Sequence, residues 1–314
     1  MRAFVRTVEL GSLSRSAAES GAKVSTVSRY IAALEADVGA ALFNRTTRRL
    51  HLTEAGMTFY ERAARIIADV DEARLATSSL NSRPQGLLRI NIPSAFGRRH
   101  VQPHLPDFLA AYPDIRIDAT FTDATVDLID AGADIAIRIG ALTDSTLVAK
   151  RLAPHRRALC ASQDYLARAG MPDSPESLAT HNCLAFALQP SNRWYFCEKG
   201  TAKTAEVVIG GRLRANDSEA LLGAALAGLG IALLPTWLVG PEIRSGHLVS
   251  LLPEWEGNIS VGPERSIWGV YPPKKVVSPK VRAFLSFIEQ RFGHPPYWDL
   301  ETGLRVSPAS TAGS

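Results

Sequence analysis

The stretch GSLSRSAAESGAKVSTVSRYIAALEADVG, from Gly11 to Gly39, admits few folds. Ser14 and Ser16 precede AAES and Gly21 follows it, the signature of a short helix with a hydroxyl cap at one end and glycine at the other. After a brief turn, Val27, Tyr30, Ile31, Leu34 and Val38 recur at intervals of three or four, so they are expected to face a core until Gly39 ends the helix. Two short helices joined by a tight turn, the second amphipathic, make a helix-turn-helix. Lys23, Val24, Ser25, Thr26, Ser28 and Arg29 then gather at the first turns and outer face of the second helix. There, short donors and a methyl-bearing side chain suit base edges in a major groove, and Arg29 suits either a guanine edge or a phosphate. Taken alone, the same residues also describe a solvated surface helix.

The next segment, LFNRTTRRLHLTEAG from Leu42 to Gly56, sets Arg45, Arg48 and Arg49 beside the alternating apolar positions Leu50 and Leu52. It reads as a two-stranded wing whose arginines follow a phosphate backbone, after which Thr53 caps the next helix. Charge agrees with this reading. The first 52 residues hold eight Lys or Arg against four acids, while the remainder is balanced, so the formal net charge of +4 belongs to this module and favours a polyanionic partner.

GSLSRSAAE, STVSRYIAALE and LFNRTTRRLHLTEAG, in that order and spacing, resemble the winged helix-turn-helix of LysR-type transcriptional regulators. The resemblance implies a DNA-binding domain over residues 1–58. Two departures from the family pattern carry expectations. MRAFVRTVE is short of the family's first helix by about a turn, which removes an apolar anchor, and Ser20 stands where the family carries leucine, which removes a core side chain.

From Glu54 to about Ser82 there is no proline, and Phe59, Ala63, Ile66, Val70 and Ala73 form a stripe flanked by Tyr60 and Ile67, which needs a partner to cover it. Residues 59–82 resemble the family's linker helix, which implies antiparallel pairing with a second copy; packing on its own domain is the alternative. SRPQG, Ser82 to Gly86, reads as a hinge. Beyond it, strand-like LLRINI, IRIDATF, ADIAIRIG and LVAKRL alternate with helical segments near Val101 to Ala111 and Thr125 to Ala131. VVIGGRLRA reads as a further strand, Glu219 to Ala227 as a helix, IALLP as a strand, and Thr236 to Arg244 as a helix. This alternation argues for parallel sheets with crossover connections in two α/β lobes separated by a crevice. Residues 83–292 resemble the family's two-lobed, periplasmic-binding-protein-like effector domain, with PKVRAFLSFIEQRF, Pro279 to Phe292, returning to the first lobe. The whole is then an α/β multidomain chain: winged helix-turn-helix, long linker helix and effector domain. Residues 293–314 form a tail beyond the family's usual length, expected to be partly disordered, although Tyr297 and Trp298 are able to dock.

Ligands of open α/β sheets collect at the carboxyl ends of strands. PSAFG supplies Ser94 as donor, Ala95, and Phe96 as an apolar wall, while ANDSEA supplies Asn216 and Asp217; ordinary helix capping is the alternative for Ser94 and Asp217. Arg138 and Gly140 complete the wall, with Arg138 suited to a ligand carboxylate or to a structural ion pair. The family's effector commonly lies between such loops.

No cofactor is expected. GLGIAL follows a helix and enters a strand, the reverse of a dinucleotide fingerprint, and His100 and His104 share helical spacing without a third metal ligand. Neither a G-x-S-x-G elbow nor an H-E-x-x-H helix occurs, so an enzyme reading has no nucleophile or metal to name. Cys160, Cys183 and Cys197 lack C-x-x-C spacing and are expected to be reduced thiols. No apolar run reaches the roughly 20 residues of a membrane span and the start lacks a signal-peptide pattern, so a cytoplasmic location is expected, with no membrane contact. A solute-binding protein explains the lobes but would need export and leaves the basic module idle. The expected partners are double-stranded DNA at an interrupted palindrome, a small-molecule effector, and further copies of the chain as a dimer and then a tetramer. RNA polymerase is a further candidate partner.

Overall fold

The computed structural model describes residues 1–44, 51–78, 83–124, 128, 131–142, 147–263, 265–273 and 277–301, in two units, Met1–Arg83 and Pro84–Ser314. The side chains of 68, 69, 71–78, 300 and 301 are not described.

The first unit runs α1 (Arg2–Leu10), α2 (Leu13–Glu19), α3 (Val24–Val38), β1 (Phe43–Asn44), β2 (His51–Leu52) and α4 (Glu54–Ser78). Gly11, Gly21 and Gly39 take left-handed φ of 62°, 65° and 73° where helices must stop, a conformation that costs glycine no Cβ clash. The cap of α2 is Ser12, whose side chain accepts from the Arg15 N–H, and not the expected Ser14 or Ser16; Ser16 is buried. The expected loss of an anchor in α1 is corrected by Phe4 and Val5, which are buried, Phe4 tilting against Phe43 and Phe59 at 5.2 and 5.7 Å. Ser20 is also not a core position. It is exposed, and its hydroxyl donates to the carbonyls of Ser16 and Ala17, so no cavity follows from its size.

The α3 stripe is narrower than expected. Val27 and Ile31 are buried and Leu34 is partly so, but Tyr30 is 55% exposed, because it lies at the edge of the stripe, beyond the reach of α1 and α2. Val38, in the last turn, is exposed as well. The Glu35 carboxylate accepts from the backbone N–H groups of Leu42 and Phe43 at 2.8 and 3.1 Å, tying the end of α3 to the wing. β1 and β2 pair antiparallel, Phe43 opposite Leu52. Thr53 caps α4, accepting from Gly56 N at 2.9 Å, and a Cβ at Gly56 would lie 2.0 Å from the Leu42 carbonyl oxygen, so only glycine permits this approach.

The second unit runs β3 (Gly86–Ile92), α5 (Ser94–Phe96), a π turn (Gly97–Val101), a 3-10 turn (Gln102–His104), α6 (Leu105–Ala111), β4 (Ile115–Phe121), β5 (Ile135–Gly140), β6 (Val148–Pro154) and β7 (Arg157–Ala161). It continues with α7 (Gln163–Ala169), β8 (Cys183–Phe186), β9 (Arg193–Glu198), β10 (Thr204–Val208), β11 (Arg214–Ala215), α8 (Ser218–Leu226), β12 (Ile231–Pro235), α9 (Thr236–Arg244) and β13 (Val249–Leu251). β14 (Trp255–Asn258), β15 (Ser266–Tyr271), α10 (Pro279–Phe292) and α11 (Tyr297–Glu301) complete it. Of the expected helix from Thr125 to Ala131, only Leu128 and Ala131 lie within the described residues.

Two five-stranded sheets, ordered β4-β3-β5-β15-β6 and β11-β8-β12-β7-β13, form the two lobes, and β10-β9-β14 adds a small antiparallel sheet. The expected parallel sheets are therefore mixed. β3 is parallel to β4 and β5, and β8 to β11 and β12, but β15 and β7 run antiparallel to their neighbours. The reason is the crossing between lobes: the chain leaves the first sheet on β6, enters the second on β7, and returns on β15. The crossings lie side by side, His155 N donating to Arg265 O at 3.1 Å.

VVIGGRLRA is not one strand. β10 pairs with β9 and β11 with β8, and the chain changes sheet at Gly210-Gly211, where a Cβ on Gly211 would lie 2.0 Å from the Cys183 carbonyl oxygen. The α10 helix returns to the first sheet as expected, Lys280 Nζ donating to Leu87 O and to the Asp134 carboxylate at 2.6 and 2.8 Å.

The tail docks through α11. Trp298 is 1% exposed and sits against Phe96, His100 and Phe292, all within 5.9 Å between ring centroids. Asp299 accepts from Arg156 at 2.9 Å and from the Thr236 hydroxyl at 2.6 Å. The segment after α10 thus joins the first lobe to the crossing and to α9 of the second. Residues 302–314 lie outside the described residues, and with them the expected disordered end.

Candidate functional site

In the first unit, α3 starts at Lys23, its N-cap, which has no side-chain cap bond; Val24, Ser25, Ser28 and Arg29 are exposed, Thr26 is half-buried, and Val27 and Ile31 hold the helix from beneath. Lys23 and Arg29 have no salt bridge among the described residues, whereas Arg6 is occupied by Glu9 and Glu19. α3 thus presents two cations not engaged in a salt bridge among the described residues, and a face of short donors plus a guanidinium is able to enter a groove. Arg45, Arg48 and Arg49 lie outside the described residues.

In the second unit, the structure brings together the end of β3 and the start of α8. Ser94 and Ala95 are half-buried, and Ser94 N donates to the Asp123 carboxylate at 3.1 Å; the N-cap of α5 is Pro93, so Ser94 does not cap it. Phe96, expected as an apolar wall, is instead a core residue: it is 0% exposed, enclosed by His100, Trp237, Phe292 and Trp298. Asn216 is exposed. Asp217 caps α8, accepting from Glu219 N at 2.8 Å, the capping alternative left open by the sequence. Arg138 and Gly140 end β5 half-buried; Gly140 has φ 137° and accepts from Trp268 Nε1 at 3.0 Å.

Sequence reasoning missed the clasp across these loops. Arg98 and Arg99 both reach the Glu219 carboxylate, at 2.5 and 3.1 Å, joining the segment after β3 to the first turn of α8. Behind them, His100 Nε2 donates to the Trp237 carbonyl at 2.9 Å, which can only accept, and Nδ1 therefore accepts from the Tyr297 hydroxyl at 2.6 Å. Burial pushes the His100 pKa down to about 4, with the Trp237 carbonyl opposing that shift and Arg99 and His104 adding to it. The partners are about 120 to 200 positions apart, so no local pattern signals them. Cys160 and Cys183 are buried with pKa values pushed up to about 12 by that burial, and Cys197 is exposed. No helix among the described residues is long and apolar enough to cross a membrane.

Residues 1–57 match the bacterial regulatory helix-turn-helix protein, lysR family, and residues 81–293 match the LysR substrate binding domain. An HTH-type transcriptional regulator of Xanthomonas campestris pv. campestris (strain 8004) is 38% identical over 312 residues, 98% of this chain and 88% of that protein. The HTH-type transcriptional regulator DmlR of Escherichia coli (strain K12) is 36% identical, covering 96% of each chain. Among solved structures, CrgA from Neisseria meningitidis, a LysR-type transcriptional regulator, superposes with TM-score 0.57 at 34% identity over 93% of this chain and 97% of that one. The Vibrio cholerae virulence activator AphB does so with TM-score 0.56 at 29% identity, over 91% and 96%.

A helix-turn-helix module followed by a two-lobed α/β ligand domain defines a ligand-responsive transcriptional regulator. The chain belongs to the LysR family of these regulators, with an N-terminal DNA-binding domain and a C-terminal effector-binding domain. Family members bind DNA and small-molecule effectors and form oligomers.

Proposed function

We propose that the chain regulates transcription from the cytoplasm by placing α3 in the major groove of an interrupted palindrome. Ser25, Thr26 and Arg29 read base edges there, with Lys23, Val24 and Ser28 beside them, while Arg45, Arg48 and Arg49 hold phosphates and set register. The observation that carries this reading is the exposed row Val24, Ser25, Ser28 and Arg29 above the buried Val27 and Ile31. Residues 1–58 form the DNA-binding domain and 59–82 the dimerising linker. Ile66 and Val70, one helical turn apart and 50% and 44% exposed, offer the apolar surface a second linker helix covers. Two dimers then assemble as a tetramer, and RNA polymerase is contacted from the bound complex. The chain has no catalytic role.

The effector lies between the lobes of residues 83–292, against Ser94, Ala95, Arg138, Gly140 and Asn216. Phe96 and Asp217 hold the two loops in place behind it. Its binding differs between lobe arrangements, and that difference changes how the DNA-binding modules are spaced.

The test measures fluorescence anisotropy of the purified chain on a duplex from its own upstream region, against a scrambled duplex, at two salt concentrations. A preference of about a thousandfold, with specific Kd near or below about 10 nM, is expected. Equal, weak and steeply salt-dependent binding to both duplexes would refute base reading. Ser94→Ala is expected to weaken the effector response at unchanged DNA affinity; an unaltered response removes Ser94 from the site.

A further inference from the structure

A recess of about 280 Å³ opens at the crossing between the lobes, and none of the loop residues above lines it. Its lining includes His155 and Arg156 from the outward crossing, Arg157 at the start of β7, Arg265 from the return, Lys199 from the turn after β9, and Trp255 from β14. Glu256 is the carboxylate among the described lining residues, and it is exposed.

The cations are held in place by bonds that leave their charge uncompensated. Arg157 Nη1 donates to Leu233 O at 2.8 Å and Lys199 Nζ to Pro253 O at 2.7 Å, both neutral acceptors; Arg265 donates to the Ser260 hydroxyl. Among the described residues, Arg156 alone of these cations has a carboxylate partner, that of Asp299. His155 is 8% exposed and its Nδ1 has no hydrogen-bond partner, nor does the buried Nε of Arg157. Burial, with Arg265 nearby, pushes the Arg157 pKa down to about 9 and that of His155 well below its usual range. A buried cation without a counter-ion is costly, and such a group stabilises the fold only when an anion pairs with it.

We propose that this recess binds a small oxyanion carrying at least two negative charges, carboxylate or phosphate, held by Arg157, Arg265 and Lys199 with His155 donating from Nδ1. Planar guanidinium groups suit either oxyanion, and Trp255 supplies an apolar wall for a short carbon skeleton. The site is separate from the effector crevice proposed above and does not depend on it. Because its ligands come from both crossings, an anion there ties together the two segments that join the lobes.

The test is isothermal titration of the full-length chain with citrate and with inorganic phosphate, against sodium chloride at matched ionic strength. One equivalent of citrate or phosphate is expected to bind per chain, and whichever binds more tightly assigns the carboxylate or the phosphate source. Arg265→Gln and Lys199→Ala are each expected to weaken binding at least tenfold, and Arg157→Lys to retain more of it than Arg157→Gln. Should the Arg157 variants fail to fold, the Arg265 and Lys199 variants decide the matter. The proposal is overturned if neither anion binds beyond the chloride control, or if Arg265→Gln and Lys199→Ala bind as the unaltered chain does. It is equally overturned if Ser94→Ala abolishes binding while Arg265→Gln does not, which would put the anion in the crevice.

Discussion

Acid is expected to loosen the second unit through His100. Its imidazole is buried among Phe96, Trp237, Tyr297 and Trp298 and held neutral, with a pKa of about 4 against the usual 6.5. A histidine whose folded pKa is lowered contributes stability fully present above pH 6.5. That stability is lost as the pH falls, because the unfolded chain takes up a proton that the folded chain refuses until about pH 4. Each pKa unit is worth about 1.4 kcal/mol, so the lost contribution reaches about 2 kcal/mol by pH 5 and about 3 kcal/mol below pH 4. His155 adds a second lowered group with the same sign, so acidification alone does not isolate His100. The comparison that does is His100→Gln, whose amide is able to donate to the Trp237 carbonyl and accept from Tyr297 without titrating. Urea unfolding followed by tryptophan fluorescence is the suitable assay, since all five tryptophans lie in the second unit and the signal ignores the DNA-binding module. The variant is expected to be less stable at pH 7.5, with the gap closing by about 2 kcal/mol at pH 5. Parallel stability curves for the two chains between pH 4.5 and 7.5 would show that His100 is not held neutral, and the reasoning would fail.

Arg29→Ala is expected to cost roughly 1 to 3 kcal/mol of DNA binding and to relax preference at one base pair; uniform weakening on every duplex would reduce it to a phosphate contact. Replacing both Ile66 and Val70 with glutamate should shift the chain towards monomer in sedimentation velocity, and an unchanged oligomer would place the interface elsewhere. Trp298→Ala should destabilise the second unit by about 3 to 5 kcal/mol in the same urea assay. Trp298→Phe should cost far less, since the buried indole N–H it removes has no partner. With a thiol reagent, Cys197 should react in the native chain and Cys160 and Cys183 only after denaturation; rapid native labelling of three thiols would contradict their burial.

Local pattern carried much of this protein. Gly21 and Gly39 marked the ends of α2 and α3, and the proline-flanked Thr236–Arg244 and Pro279–Phe292 form with the bounds their sequence implies. These elements are legible because stops, caps and apolar spacing act over a few residues. The helix-turn-helix was legible for the same reason: Val27 and Ile31 must turn inward, which obliges Ser25 and Arg29 to turn outward.

Periodicity states which residues share a face but not how far a neighbour covers it. Tyr30, Ile66 and Val70 lie on apolar stripes, yet they stay exposed because the helices of their own unit end short of them. Composition made Phe96 look like a pocket wall, and only the docking of Trp298 and Phe292 on it made it core. The clasp of Arg98 and Arg99 on Glu219, the neutral His100, and the cations gathered at the crossing depend on segments about 40 to 200 positions apart. The sequence by itself determined the modules, their order and the outward face of α3, because those follow from short-range sterics and burial. The tertiary structure alone decided which polar groups lose water and which charges meet, because desolvation and Coulomb energies depend on distance in space and not along the chain.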